Sequence, residues 1–179
     1  MKGMTSAKTA LRREMKLLLA GLSDSTRATQ SESIRDQLHF AAGSNVAIFA
    51  NLETEVQLLP LLKSAPHVNW HLPHVLSGSE MEFLPVHELS PLKKGAFGIL
   101  EPTTVTPARE LDTIVCPGLA FTEQGERLGQ GGGFYDRALA QFPSSDTVGV
   151  CFDQQLLDHL PCEPHDIKMT RMITPLQGL

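Results

Sequence analysis

Residues 125–137 read Gly-Glu-Arg-Leu-Gly-Gln-Gly-Gly-Gly-Phe-Tyr-Asp-Arg, and five of the 14 glycines fall within the first nine of these positions. Backbone without side chains can approach a ligand closely and turn its N–H groups toward it. The run precedes a helical pattern that begins near Phe134. Free N–H groups and the helix dipole favour phosphate at such a junction. Arg127 flanks the glycines on one side and Asp136 on the other. A guanidinium suits a phosphate oxygen and a carboxylate suits a divalent cation, so the segment reads as a site for nucleotide phosphate and its Mg2+. Two familiar phosphate motifs fail. GxxxxGK[ST] lacks its Lys and Ser/Thr after the glycines, and GxGxxG has Phe134 where its last glycine belongs.

Other groupings carry less. His67, His71 and His74 lie around a strand-like run that contains Pro73, a poor frame for zinc. Asp136 with His159 or His165 has no nucleophilic Ser or Cys beside it, so no hydrolase triad is expected. Cys116, Cys151 and Cys162 form no CxxC pair and are odd in number, which points to reduced thiols. Cys116, in the run Ile114-Val115-Cys116, reads as a small core residue.

Fifteen Lys and Arg stand against 20 Asp and Glu, a net charge of −5. That balance provides no general polyanion-binding surface, so no nucleic-acid partner is expected and any anion must be held locally. No run approaches 18 apolar residues and the first residues hold no apolar secretion core, so neither membrane nor export is expected. The cytoplasm is the expected compartment. With 179 residues, 41% hydrophobic and 20% charged, the chain is expected to form one domain over 1–179 and to act as a monomer.

The elements that must position the glycine run follow from periodicity. Residues 6–20 predict a helix with Leu11, Met15, Leu18 and Leu22 as its apolar stripe and Lys8, Arg12, Arg13 and Lys16 on other faces. Ser23 or Ser25 caps a second helix that runs toward Ala41 and stops at Gly43. Residues 46–50 form a short apolar strand, 55–63 a helix stopped before Pro66, 68–72 a strand, and 81–86 a strand whose Pro85 argues for an edge. Residues 90–109, with several Gly and Pro, read as loop. A strand over 112–117 leads into the glycine run, followed by a helix over 134–141, a strand over 148–152 and a helix over 154–160. Helices alternating with apolar strands predict an α/β fold with a mostly parallel sheet covered on both faces. Ligands in such a sheet sit beyond the carboxyl ends of strands, where the glycine run lies.

Arg127-Leu128-Gly129-x-Gly131-Gly132-Gly133-Phe134-Tyr135-Asp136-Arg137 resembles the signature of the 5-formyltetrahydrofolate cyclo-ligase family, also called 5,10-methenyltetrahydrofolate synthetases. Weaker blocks in family order extend the resemblance over nearly the whole chain. They include Lys8-x-x-Leu11-Arg12, Glu55-Val56, Leu72-Pro73 with Met81-x-Phe83, Gly98-Ile99-x-Glu101-Pro102, Asp112-x-x-x-x-Pro117-Gly118-Leu119-Ala120-Phe121, and His165-Asp166. The resemblance implies ATP- and Mg2+-dependent conversion of 5-formyltetrahydrofolate to 5,10-methenyltetrahydrofolate with release of ADP and phosphate. In that reaction the formyl oxygen attacks the γ-phosphate, the 10-nitrogen closes the ring and phosphate leaves. It also implies a three-layer fold similar to the sugar-phosphate isomerase and CoA-transferase group.

By the same resemblance, Lys8 and Arg12 match cations that reach the ATP phosphates, and Arg127, Leu128, Gly129, Gln130, Gly131, Gly132, Gly133, Phe134 and Tyr135 match the ATP-binding loop. Gln130 through Phe134 also border the folate, as do Ala50 and Glu55, with Glu55 able to accept the pterin N–H groups. Met81 and Phe83 match a wall for the pterin or benzoyl portion, with core packing as the plainer reading. Arg127 and Asp136 are the expected catalytic pair, and Asp136 and Asp166 match the Mg2+-associated carboxylates. Departures fall at Gln130, where an aromatic or longer residue is frequent, at Gly132, which is Lys in some members, and at Thr170, where Asp is common. The competing readings are a nucleotide-binding paralogue with an accessory role, and a sugar-phosphate isomerase or CoA-transferase relative.

Overall fold

Short apolar runs, each long enough for one pass through a core, alternate with helices of very different lengths. The computed structural model describes residues 2–76, 80–88, 90–164 and 166–175, with side chains from residue 7 onward. In chain order the elements are α1 (Lys2–Ala20), α2 (Asp24–Arg35), β1 (Asn45–Ala47), α3 (Leu61–Ser64), β2 (Asn69–Val75), β3 (Met81–Val86), β4 (Leu92–Lys94), β5 (Leu100–Pro102), β6 (Thr113–Cys116), β7 (Ala120–Phe121), β8 (Arg127–Leu128), α4 (Phe134–Leu139), β9 (Asp146–Val150) and β10 (Arg171–Ile173). The central sheet has the order β10-β9-β6-β1-β2-β3, and every neighbouring pair is parallel except β2 with β3. β3 is an edge strand, as its Pro85 predicts.

Both faces of the sheet are buried. Val46, Ile48 and Val115 pack with Met15 and Leu19 of α1 and Ile34 of α2, whereas Ala47, Ile114 and Cys116 pack with Ala138 and Leu139 of α4. The two-residue alternation of strands thus feeds two separate cores, and the architecture is the three-layer α/β arrangement that the sequence predicts. No helix among the described residues is long and apolar enough to cross a membrane.

Several boundaries differ from expectation, each for a local reason. In α1 the buried seam runs through Lys8, Met15 and Leu19, while Leu18 is 39% exposed, so the stripe is rotated by one residue and Lys8 joins the buried face. Arg27, itself buried, donates to the carbonyls of Leu22 and Leu19 and closes the end of α1. α2 begins after Ser23, whose hydroxyl accepts from the Thr26 N–H, but stops at Arg35 instead of continuing toward Ala41. Gln37 turns away to bond Thr174 O, and Phe40 meets Trp70 edge-on at 5.5 Å.

The expected helix over 55–63 is reduced to α3, because Pro60 has no N–H to give and stands as its N-cap residue. The chain before it is tied instead to side chains of α2, with Ser31 Oγ accepting from Gln57 N and Arg35 donating to Gln57 O. Residues 154–160 form only one 3-10 turn, Asp153–Gln155. Gln155 is 2% exposed and its amide serves Phe152 N, Gly118 O and Leu119 O, while Leu157 N donates to Phe121 O, which draws the chain out of helix. The predicted loop over 90–109 contains the hairpin β4–β5, and β10 and the hairpin β7–β8 had no forecast. In the turn of β4–β5, Phe97 has φ 58°, the one non-glycine residue with positive φ among those described. A bulky residue held there stores roughly 1–3 kcal/mol of strain.

Candidate functional site

The sequence-first strand β1 has β2 on one side and β6 on the other, so the chain reverses its direction of travel across the sheet between β1 and β6. A crevice opens beyond the carboxyl ends of two such strands. The segment after β1 carries Ala50 and Glu55, and the segment after β6 carries the hairpin β7–β8 and the glycine loop. α1 crosses the same edge. Arg12 donates through Nε to Gly129 O at 3.0 Å, joining the helix to the loop.

Arg127 opens β8, the second strand of the hairpin, with its side chain only 4% exposed, and donates through Nη2 to Asp136 Oδ1 at 2.7 Å. Its Nε is buried with no partner among the described residues, and so is the Tyr135 hydroxyl. The guanidinium lies 5.6 Å from the centroid of the Tyr135 ring. Burial pushes the Tyr135 phenol well above its usual range, so it stays a neutral O–H donor.

Glu55 stands half-buried opposite the loop. One of its oxygens accepts from the Leu52 N–H at 2.9 Å, and Gln130 donates to the same carboxylate. Burial raises its pKa, and the bonds from Leu52 and Gln130 oppose that rise without cancelling it. Gln130, Glu55 and Tyr135 therefore lie in one neighbourhood, with the Glu55 charge felt at the phenol.

The loop conformation needs glycine at two positions for different reasons. Gly131 has φ +103°, a region that L side chains rarely adopt, and the Arg12 guanidinium packs over it. Gly132 has ordinary φ, but a Cβ there would stand 2.7 Å from the Phe134 ring. Phe134 opens α4 and carries the Arg137 guanidinium 6.0 Å from its centroid. Beside the loop, Thr9, Arg12, Arg13, Lys16, Leu17 and Gln130 line an open groove of about 480 Å3. Three cations and no carboxylate border it. Arg13 and Lys16 were not singled out from sequence, although their spacing from Arg12 along α1 places them within reach of one another.

The other sequence candidates fall at different depths. Lys8 is 6% exposed and donates to both Glu163 and Asp166 at 2.7 Å. Burial alone would lower its pKa, but the bonds to Asp166 and Glu163 outweigh that and raise it. Asp166 also accepts from the Glu163 N–H, so it is built into the 163–166 turn. His165 lies outside the described residues. The two carboxylates expected to serve Mg2+ thus stand in separate ion pairs, Asp136 with Arg127 and Asp166 with Lys8. Among the described residues no three His, Cys, Asp or Glu gather as a metal-holding cluster. Asp136 Oδ2 has no protein partner among the described residues, and Mg2+ accompanying a nucleotide needs only one or two carboxylates beside phosphate oxygens. The donor set fits on that count. Ala50 is 3% exposed in the first core, and Met81 and Phe83 lie in the second core beneath Phe134 and Tyr135, with Phe83 edge-on to Phe142 at 5.9 Å. Burial pushes the Cys116 and Cys151 thiols up to about 12, so both are inert.

Comparison with known proteins matches residues 4–175 to the model of the 5-formyltetrahydrofolate cyclo-ligase family. The chain is 36% identical over 140 residues to the 5-formyltetrahydrofolate cyclo-ligase of Escherichia coli K12, covering 73% of this chain and 77% of that one. Among solved structures it is similar to the 5,10-methenyltetrahydrofolate synthetase of Aquifex aeolicus, with TM-score 0.82, 32% identity, and coverage of 93% of this chain and 88% of the other. The fold alone is shared with a 5,10-methenyltetrahydrofolate synthetase from Mycoplasma pneumoniae, at TM-score 0.74 and 21% identity over 94% and 99% of the two chains.

Proposed function

The chain belongs to the 5-formyltetrahydrofolate cyclo-ligase family, and on that footing we propose that the crevice between β1 and β6 binds 5-formyltetrahydrofolate beside ATP and closes the folate to 5,10-methenyltetrahydrofolate. The observation that supports this reading most directly is the pair of buried donors without partners, Arg127 Nε and the Tyr135 hydroxyl. Leaving such groups unmet costs about 1–3 kcal/mol each, so they read as donors awaiting ligand oxygens. They flank the glycine loop, one in β8 and one in α4, and the Tyr135 phenol feels the charge of Glu55, to which Gln130 donates.

A formyl oxygen is a poor leaving group, and ATP makes it a good one by accepting its attack at the γ-phosphorus. The protein's task is then positioning and charge neutralisation. Arg12, Arg13 and Lys16 border the groove in which a triphosphate would lie, and Gln130 of the glycine loop lines it with them. Arg127 supplies charge and donors at the reacting end. Asp136 would hold Mg2+ through Oδ2, and Asp166 is the second candidate ligand; the metal would neutralise charge on the phosphates. Glu55 accepts the pterin N–H groups and Gln130 fixes the carboxylate that does so. Tyr135, kept protonated by burial, donates to a ligand oxygen and takes up no proton in the process.

The test uses the chain with (6S)-5-formyltetrahydrofolate, ATP and Mg2+. The methenyl product absorbs in the near ultraviolet where the formyl substrate does not. Growth of that band, dependent on ATP, is expected. A flat trace from folded protein that still binds ATP would replace this reading with that of an accessory nucleotide-binding protein.

A further inference from the structure

We propose that Arg137 is a positioning residue for the nucleotide, holding the Gly132 carbonyl so that the N–H of Gly133 is presented to the phosphates. The proposal rests on the nucleotide half of the proposed function. In a helix each side chain slants back over the turn that precedes it, and Arg137 follows the glycines by one turn of α4. Its guanidinium accordingly reaches back along the loop. Nη2 donates to Gly132 O, and Cζ lies 6.0 Å from the centroid of the Phe134 ring. Gly133, at φ +66°, leaves the space for it, since a Cβ there would stand 2.7 Å from Arg137 Nη1.

The backbone consequence follows from the peptide unit. In a trans peptide the carbonyl and the next N–H point opposite ways, and no peptide bond among the described residues is cis. A guanidinium that fixes Gly132 O therefore turns the Gly133 N–H away from itself. Arg12 does the same at the other end of the run, where its Nε takes Gly129 O and turns the Gln130 N–H away. Glycine admits both signs of φ, so an unanchored run of glycines has several peptide orientations of similar energy. Two carbonyl anchors, one from α1 and one from α4, select among them. Among the described residues no backbone carbonyl accepts from the N–H of Gln130, Gly131, Gly132 or Gly133, so those donors are left for a ligand. Arg12 also lines the cationic groove, whereas Arg137 does not, and its effect on the nucleotide runs through the loop.

Calorimetric binding of ATP with Mg2+ in the absence of folate tests the assignment, with wild-type turnover establishing the reaction separately. Arg137→Ala should raise Kd for ATP roughly three- to tenfold, because apparent affinity scales with the fraction of loops in the competent orientation. Its Tm should stay within about 2 °C of wild type, since the residue is exposed. Arg137→Lys keeps a donor of similar reach and should return Kd to within about a factor of two of wild type. The slope of log Kd against log salt should be the same in wild type and R137A, because the bond to a carbonyl carries the effect and no charge on phosphate is lost. An unchanged Kd in R137A, with or without a loss of Tm, overturns the proposal. A shallower salt slope in R137A also overturns it, by making Arg137 a direct phosphate ligand. Either result leaves wild-type turnover, and with it the assigned reaction, standing.

Discussion

The Arg127 guanidinium donates to Asp136 Oδ1 at 2.7 Å, so the two charged residues flanking the glycines close on each other. This pair gives Asp136 a duty that neither helix-dipole compensation nor metal binding alone would give it, since it neutralises a guanidinium that is 4% exposed. One oxygen serves the arginine and the other remains for a cation.

Asp136→Asn should therefore have two separable effects. The amide keeps a hydrogen bond to Arg127 but loses the charge, which should lower unfolding free energy by about 1–3 kcal/mol in urea titration. Turnover should fall by orders of magnitude and recover in part as Mg2+ is raised, because Oδ2 is the expected metal contact. A variant that loses stability but turns over normally at low Mg2+ would assign the residue to Arg127 alone.

Lys8 offers a pH signature. Its folded pKa is raised above the ordinary 10.5, with burial opposed and outweighed by the bonds to Asp166 and Glu163. A raised folded pKa means that the folded state holds the proton more tightly. The stabilisation is complete below 10.5 and is lost as pH rises through the folded value. Wild type should weaken steeply above pH 10.5 in denaturant titrations. Lys8→Met should be less stable by about 1.5–3 kcal/mol at pH 8 and should lack that alkaline step. An identical alkaline profile in both proteins would place the ion pair outside the folded-state energetics.

Five of the six strands of the central sheet, all but β10, were legible because they are apolar runs whose spacing leaves no other use for them, and Pro85 located the β3 edge without any coordinates. The glycine segment was legible for a related reason, since so many glycines together have no packing role. What escaped the sequence was set by contacts between distant residues. Nothing local distinguishes Leu18 from Leu19 as the buried residue of α1, and that single step moved Lys8 from the surface to a pair with residues over 150 positions away. Helices over 55–63 and 154–160 have plausible periodicity, but Ser31, Arg35 and the side chain of Gln155 offer the backbone better partners. Phe97 gave no signal because positive φ at a phenylalanine contradicts propensity and is imposed by Glu101 from the other side of the turn.

Glu55 and Gln130 supply the last prediction. Burial raises the Glu55 pKa, and the hydrogen bonds from Leu52 and Gln130 hold it back. Gln130→Leu removes one of the two restraints, so the carboxyl should titrate at higher pH than in wild type. If the carboxylate form binds the pterin, the acid limb of kcat/KM for 5-formyltetrahydrofolate should move upward in pH in that variant. Glu55→Gln should abolish the limb and raise KM for the folate, with KM for ATP spared.

Stability should respond in the opposite sense. A carboxyl whose folded pKa exceeds its unfolded value of 4.5 binds protons more readily when folded, so it costs stability as pH rises through that interval and continues to cost it at neutrality. Replacing Glu55 by the uncharged amide removes the cost, and the variant should be no less stable than wild type at pH 7 while using folate poorly. Thermal melts and folate kinetics on one protein sample distinguish the two roles. A destabilised Glu55→Gln with both KM values raised together would make the carboxylate a structural support of the 52–55 turn and remove it from the binding site.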